Sequence, residues 1–420
     1  MLDRILRLIK KIIPKQIFNF FAPFYHFGLS LLGAIIYGFP SKDLFVIGIT
    51  GTKGKSTVTE ILANILSEAE YKTARAGTIR FTIGEESRPN LYKMTMPGRF
   101  FIHKFLREAV DAGCTHAVLE ITSEGSKQFR HRFLDLDAFV FTNLAPEHIE
   151  SHGSFEKYLN AKTGIAKRTI NSSKENTFLV LNKDDEHYKD FIISPTIKTI
   201  LYSLSDAKPY DTQNGIKMQW HRTTIYSSLD GEFNIYNILA AATVAHELKI
   251  PDETIKKAIE NIKEIPGRVQ KIKAGSGKDI VIDYAHTPDS LEALYNAFPN
   301  RQKICVIGNT GGGRDTWKRP VMAQIADKYC DHIILTNEDP YDEDPMKIVS
   351  EMKVAISSKP VLIILDRREA ISSAIKKADP GAVILISGKG TDPYIMEANG
   401  KKTPWSDYKV AKEELEKISK

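Results

Sequence analysis

Two patterns of apolar positions alternate along most of the chain. Short runs such as 44–49 (LFVIGI), 117–121 (AVLEI) and 138–141 (AFVF) have almost no polar break, as strands buried on both faces do. Between such runs the period lengthens. After Ser56 the apolar residues are Val58, Ile61, Leu62, Ile65 and Leu66, one face of a helix. Further on, runs at 280–283, 304–307, 332–335, 361–365 and 382–386 predict strands separated by helical stretches, hence a parallel, Rossmann-like sheet. In between, IKMQW (216–220) and TTIYSSL (223–229) alternate like antiparallel strands, with Asn214-Gly215 as a turn signal ahead of them. The fold class is α/β. A central parallel-sheet domain of P-loop ATPase type is expected over 43–266, and a Rossmann-like C-terminal domain over 267–420.

Residues 1–42 follow neither pattern. MLDRILRLIKKIIPK sets Leu2, Ile5, Leu6, Ile9, Ile12 and Ile13 on one helical face and basic residues on the other. Residues 17–40 then contain no charged residue. This short helical, apolar segment has three readings: helices packed on the next domain, peripheral contact with a membrane surface, or a span, for which the run is long enough. Asn19, Pro23 and His26 interrupt it, and no clean cleavage site follows, so a signal peptide is not expected.

Composition narrows the partners. With 42% hydrophobic and 26% charged residues in 420, the chain reads as a soluble protein of two or three domains. The first fifteen residues carry five basic side chains against one acidic, a net of +4 out of the total +6. The body is therefore near neutral and offers no basic face for nucleic acid. Cys114, Cys305 and Cys330 form no C-x-x-C pair, which predicts reduced thiols in a cytoplasmic protein, with neither a disulfide framework nor a zinc ribbon.

The chemistry begins at VIGITGTKGKSTVTE (46–60). Strand, glycine-rich turn and helix are the setting in which backbone N–H groups face phosphate oxygens. Gly51, Thr52, Lys53, Gly54, Lys55, Ser56 and Thr57 are the expected ATP-binding residues. Lys55 would reach the β/γ-phosphates, and the Ser56 hydroxyl would sit on Mg²⁺. The spacing departs from the strict P-loop pattern, because Ile49 stands where the first glycine belongs and the glycines are Gly48 and Gly51. Glu120, ending the strand 117–121, is a natural Mg²⁺ ligand beside such a loop.

The spacing G-x-x-G-T-x-G-K-S-T resembles the loop of the Mur ligase superfamily, which joins amino acids to nucleotide-sugar carboxylates in peptidoglycan synthesis. AFVFTNLAPEHIESHGSFEKYLNAKTGI (138–165), VIDYAHTPDSLEAL (281–294) and GNTGGGRDTWKRPVMAQIA (308–326) resemble segments of its MurE-type branch. VLNKDDE and GEFNIYN are similar to that branch as well. The resemblance implies ATP and two Mg²⁺ as cofactors. It makes Lys55, Glu120, His148 and Lys162 catalytic, with Lys162 carbamylated by CO₂ so that a cation becomes an anionic metal ligand. Asn143, Arg268, Asp283, His286 and Pro288 join the ATP site by the same resemblance. Glu147 stands where the family has Asp.

Substrate residues follow likewise. Thr95 and Pro97 in MTMPGR, and Ser123 and Arg130 in ITSEGSKQFR, resemble contacts to the acceptor UDP-MurNAc-L-Ala-D-Glu. Enzymes that add meso-diaminopimelate carry D-N-P-R, whose arginine pairs with the distal carboxylate; this chain has Glu338-Asp339-Pro340-Tyr341. Losing that cation disfavours a carboxylate there. Glu338, Asp339 and Asp392, with Tyr341 and Gly388, would instead hold a side-chain ammonium, which favours L-lysine or a similar diamino acid. Fewer residues precede the central domain than the branch's uridine-binding domain needs. Two readings therefore stay open: a related ligase for a lipid-linked or other non-UDP carboxylate, as in folylpolyglutamate and poly-γ-glutamate synthesis, and a non-catalytic membrane-associated ATP-binding subunit. The expected location is the cytoplasm, at or near the inner face of the membrane.

Overall fold

The computed structural model describes residues 15–147, 149–313 and 315–418. They fall into two compact units. The first holds the chain before residue 148 with Ser154–Tyr202 and Thr243–Leu248; Ser203–Ala242 and the chain from Lys249 belong to the second.

The first unit is built on an eight-stranded sheet of order β4-β3-β2-β5-β1-β6-β7-β8. Its strands are β1 Phe45–Thr50, β2 Thr73–Ala76, β3 Arg80–Ile83, β4 Glu86–Pro89, β5 His116–Glu120, β6 Ala138–Phe141, β7 Phe178–Asn182 and β8 Lys198–Tyr202. The unbroken apolar run of β1 lies at the centre, with Val46, Ile47 and Ile49 fully buried. β1 pairs in parallel with β5 on one side and β6 on the other, with Ile49 opposite Glu120 and Thr50 opposite Phe141. The loop leaving β1 thus emerges between the C-terminal ends of two neighbours, where ligands of open α/β sheets bind. The sheet is mixed rather than purely parallel, because β3 pairs antiparallel with both β2 and β4.

Helix α1, Lys15–Ile36, runs through Pro23 without a break. Among the described residues no helix is long and apolar enough to cross a membrane. The expected helix over residues 2–13 lies outside the described residues. Helix α2, Lys55–Glu68, follows the glycine-rich loop. Helix α3, Arg99–Asp111, packs against α1, whose Ser30 and Ala34 are fully buried. The short helix α4, Ser123–Lys127, follows β5, and α5, Phe155–Ile170, carries Lys162.

The second unit contains a three-stranded antiparallel sheet of β9 Tyr210–Asp211, β10 Ile216–Trp220 and β11 Thr223–Ser227. Its larger sheet has the order β12-β13-β17-β14-β15-β16, from β12 Gln270–Lys273, β13 Asp279–Ile282, β14 Lys303–Ile307, β15 His332–Leu335, β16 Val361–Ile363 and β17 Val383–Ile386. All its pairings are parallel except that of β12 with β13. Helices α6, Pro288–Asn296, and α7, Lys318–Tyr329, pack beside it. The expectation of unpaired cysteines is overturned here. Cys305 on β14 and Cys330, just past α7, form a disulfide with Cα atoms 6.1 Å apart. The fold makes neighbours of two residues that lie 25 positions apart, a proximity no local motif signals. Cys114 is free and buried.

Candidate active site

One carbonyl organises the glycine-rich loop. Lys55 Nζ donates to Gly51 O and Thr52 O, each at 2.9 Å, and Lys162 Nζ donates to the same Gly51 O at 2.6 Å. Gly51 has φ +154, and a Cβ there would collide with Thr142 Oγ1, so only glycine fits. Lys162 is 1% exposed. Burial, and then the charge of Lys55, push its pKa well below the usual lysine range; Glu147 opposes this and Lys53 adds to it. The free amine, the form that reacts with CO₂, is thereby favoured. The Tyr158 ring lies 4.9 Å from Lys162 Nζ, and its hydroxyl bonds Thr52 Oγ1 at 2.9 Å.

Asn143 braces this loop. Its Oδ1 accepts from Lys53 N at 2.8 Å and its carbonyl accepts from Thr52 N at 2.8 Å. The Lys53 ammonium stands 3.4 Å from Glu147. Gly54 caps α2, and Ser56 and Thr57 lie buried in its first turn.

Glu120 is the second focus. Its Oε2 accepts from Ser56 Oγ and Thr78 Oγ1, both at 3.0 Å, and its Oε1 accepts from Thr78 N at 2.8 Å. A Cβ on Gly77 would strike the Glu120 carboxylate. Thr78 Oγ1 also bonds Thr95 Oγ1 at 2.8 Å. Arg130 donates from Nη1 to Met96 O, which ties the Thr95–Pro97 loop to the Ser123–Arg130 segment. Thr122 caps α4 by accepting from Gly125 N at 3.0 Å, which fixes Ser123 at the helix start just past Glu120. Hydrogen bonds thus link Ser56, Glu120, Thr78 and Thr95, Arg130 holds the backbone between Thr95 and Pro97, and Ser123 follows Glu120 at the start of α4. Thr78, Gly77 and Gln128 belong to the same cluster and carry no sequence signal of their own. His148 lies outside the described residues.

In the second unit, Asp283 is half-buried and accepts from Val269 N at 2.8 Å and Ala285 N at 2.7 Å. Burial raises its pKa, against Arg268 and those two N–H groups. Arg268 lies over the Tyr284 ring at 4.7 Å. His286 Nδ1 donates to Tyr284 O at 2.7 Å. Pro288 opens α6, with Thr287 as its cap. In the acidic group, Lys389 Nζ sits 2.8 Å from Asp339 Oδ1, 3.5 Å from Asp392 Oδ2 and 2.7 Å from Tyr394 O. Two of the three acids therefore already hold an ammonium, the chain's own. Glu338 Oε1 accepts from Thr310 Oγ1 at 2.9 Å, while its Oε2 is buried with no hydrogen-bond partner. That carboxylate packs on Gly388, where φ is +105 and a Cβ would collide with it. Tyr341 takes a left-handed turn, φ +51, and bonds Met396 O at 3.0 Å through its N–H.

Comparison with known proteins fits this geometry. The Mur ligase middle domain matches residues 49–245, and the Mur ligase glutamate ligase domain matches residues 267–390. A UDP-N-acetylmuramoyl-L-alanyl-D-glutamate–2,6-diaminopimelate ligase of Halalkalibacterium halodurans is 34% identical over 370 residues, which is 85% of this chain and 76% of the relative. A UDP-N-acetylmuramyl-tripeptide synthetase 2 of Oceanobacillus iheyensis is 35% identical, over 92% of this chain and 80% of its own. A solved structure of a UDP-N-acetylmuramoyl-L-alanyl-D-glutamate–2,6-diaminopimelate ligase aligns with a TM-score of 0.60 at 29% identity, covering 90% of this chain and 79% of that one. The folylpolyglutamate synthase of Mycobacterium tuberculosis aligns with a TM-score of 0.72 at 16% identity, over 87% of this chain and 93% of its own, a likeness of fold alone.

Proposed function

Because the chain belongs to the Mur ligase family, we propose that it is an ATP-dependent ligase joining a diamino acid to UDP-MurNAc-L-Ala-D-Glu in peptidoglycan synthesis. The observation that carries this is the convergence of Lys55 and Lys162 on Gly51 O, beside the Ser56–Glu120 hydrogen bond. A carboxylate at neutral pH is a poor electrophile, so ATP must activate it. The substrate carboxylate takes the γ-phosphoryl group, and the amine then attacks the acyl carbon and expels phosphate. Lys55 is suited to turn from its loop carbonyls toward the phosphates and neutralise charge on them. Asn143 holds the loop backbone in shape for this exchange.

Ser56 and Glu120 offer the hard oxygen donors that Mg²⁺ prefers, and their separation of 3.0 Å suits a shared ion. Mg²⁺ bound there would neutralise charge on the transferring phosphoryl group. Lys162, buried and favoured as the free amine, is suited to carry a carbamate as a further oxygen donor. Thr95, Pro97, Ser123 and Arg130 form the acceptor side, while Arg268, Asp283, His286 and Pro288 serve the nucleotide. The relatives' names point to 2,6-diaminopimelate as the amino acid. Tyr341 in place of arginine supports lysine as a second reading, since no cation remains at that position.

The test is phosphate release from ATP with UDP-MurNAc-L-Ala-D-Glu across a panel of amino acids. Release triggered by one diamino acid, with the matching mass increase, is expected; silence across the panel would overturn the acceptor. The reading extends to location. Phe24 is 69% exposed and Ile35 and Ile36 are each 57% exposed on α1, which follows a segment, residues 1–14, of net charge +3. These features support peripheral contact with an anionic membrane. The full chain is expected to sediment with phosphatidylglycerol vesicles and a chain starting at Ser41 is not. Equal, negligible pelleting of both would contradict it.

A further inference from the structure

Helix α1 reaches the acceptor side of the first unit through His26. Arg99, the first residue of α3, donates from Nη2 to the His26 ring, and its guanidinium carbon lies 5.8 Å from the Tyr25 ring centroid. The same nitrogen donates to Gln128 Oε1 at 3.1 Å. Arg130 donates to that same oxygen at 2.8 Å. Two guanidinium groups thus share one neutral acceptor. Neither forms an ion pair with a carboxylate among the described residues, and the Nε of each is buried without a partner. Arg130 is only 9% exposed. Burial and the charge of Arg99 both lower its pKa, and Glu124 offsets them only in part.

Holding two cations together in a partly desolvated place is costly unless an anion joins them. Their position says which anion. Arg130 also bonds Met96 O, next to Thr95, whose hydroxyl leads through Thr78 to Glu120. A glutamate linked through its nitrogen keeps two free carboxylates. If one is activated near Glu120, the other lies a short carbon chain away. An enzyme that must activate only one of them gains selectivity by holding the other.

Resting on the acceptor proposed above, we propose that Arg99, positioned by His26, binds the acceptor and with Arg130 holds the carboxylate of D-glutamate that is not activated. Arg99 thereby helps decide which carboxylate reacts. His26 acts through Arg99, which gives α1 a part in substrate selection.

The test compares wild type, Arg99→Gln, Arg99→Lys and His26→Phe on two acceptors: UDP-MurNAc-L-Ala-D-Glu and its analogue in which the non-reacting carboxylate is an amide. Wild type is expected to prefer the dicarboxylate by about 10–100-fold in kcat/KM, the range of one charged hydrogen-bonded pair. In Arg99→Gln the KM for the acceptor rises about tenfold, the KM for ATP stays put, and the preference shrinks. Arg99→Lys recovers part of it, and His26→Phe gives an intermediate loss. The preference is a ratio within one protein, so partial misfolding does not mimic it. An Arg99→Gln enzyme with unchanged preference and unchanged acceptor KM overturns the inference while leaving the ligase reading intact. A wild type that turns over neither acceptor overturns the ligase reading and this inference with it.

Discussion

Lys162 and Lys389 are buried alike, each 1% exposed, yet their electrical surroundings are opposite. Lys389 lies 2.8 Å from Asp339 and 3.5 Å from Asp392, and a backbone carbonyl completes its set. Lys162 donates to one carbonyl, and Lys55 and Lys53 both press on its charge, with Glu147 alone opposing them. Burial by itself therefore does not mark a functional lysine. A buried cation already paired with carboxylates is part of the framework. One crowded by other cations is waiting for a change of charge, or for an anion. Arg99 and Arg130 stand with Lys162 by this measure. Arg319, fully buried and bonded to Glu343 and Glu351 at 2.7–2.8 Å, stands with Lys389.

The largest effect that separates the two classes is on rate. Lys162→Ala is expected to lose about 10²–10³-fold or more in turnover, the cost of removing one group that stabilises charge in the reaction. Its unfolding midpoint should change little, and a short-chain carboxylic acid should restore part of the activity. Full activity of that variant in a phosphate-release assay would break the comparison. Lys389→Met should do the reverse. It leaves Asp339 buried without its cation, which costs about 3–5 kcal/mol in urea unfolding. Asp339→Asn added to Lys389→Met should recover much of that loss, because Asn keeps an acceptor for Met396 N, bonded at 2.8 Å.

Buried groups kept neutral make a third class. Burial lowers His103 and His116 to about 4 and His131 to about 3, the last helped by Arg168 and Arg132. These depressed values mean that the unfolded chain binds protons which the folded chain refuses once pH falls below about 6.5. The stability they contribute is whole above that pH and drains away toward pH 4 and then 3. Each histidine should cost about 1 kcal/mol at pH 5.5. A flat unfolding free energy between pH 7 and 5 would contradict this. The smallest expected effect is on specificity: Tyr341→Arg should lower the KM for meso-diaminopimelate several-fold relative to lysine, read by competition between the two amino acids.

How legible these features were depends on their range in sequence. The strand, the glycine turn and the helix of 46–60 are local, and their period and glycine spacing are written in consecutive residues. The parallel strands of the second unit were readable for the same reason. Lys162 carried no local sign beyond its resemblance to a family segment, because its burial and its cationic neighbours come from α5 meeting the loop. The acidic residues at 338, 339 and 392 read as a ready ammonium site; that Lys389, in the loop after β17, already lies 2.8 Å from Asp339 is a contact across 50 positions that no local pattern signals. The Cys305–Cys330 bond, the brace by Asn143 and the Arg99–His26 contact all join elements distant in sequence. Apolar periodicity says nothing of such pairs.

The central claim is that an under-compensated buried amine at Lys162 takes up CO₂. The most direct measurement is ¹³C NMR of the protein equilibrated with ¹³C-labelled bicarbonate, beside the Lys162→Ala variant. The account predicts one carbamate resonance in the wild type that is missing from the variant. No such resonance in the wild type, or the same resonance kept in the variant, would contradict it.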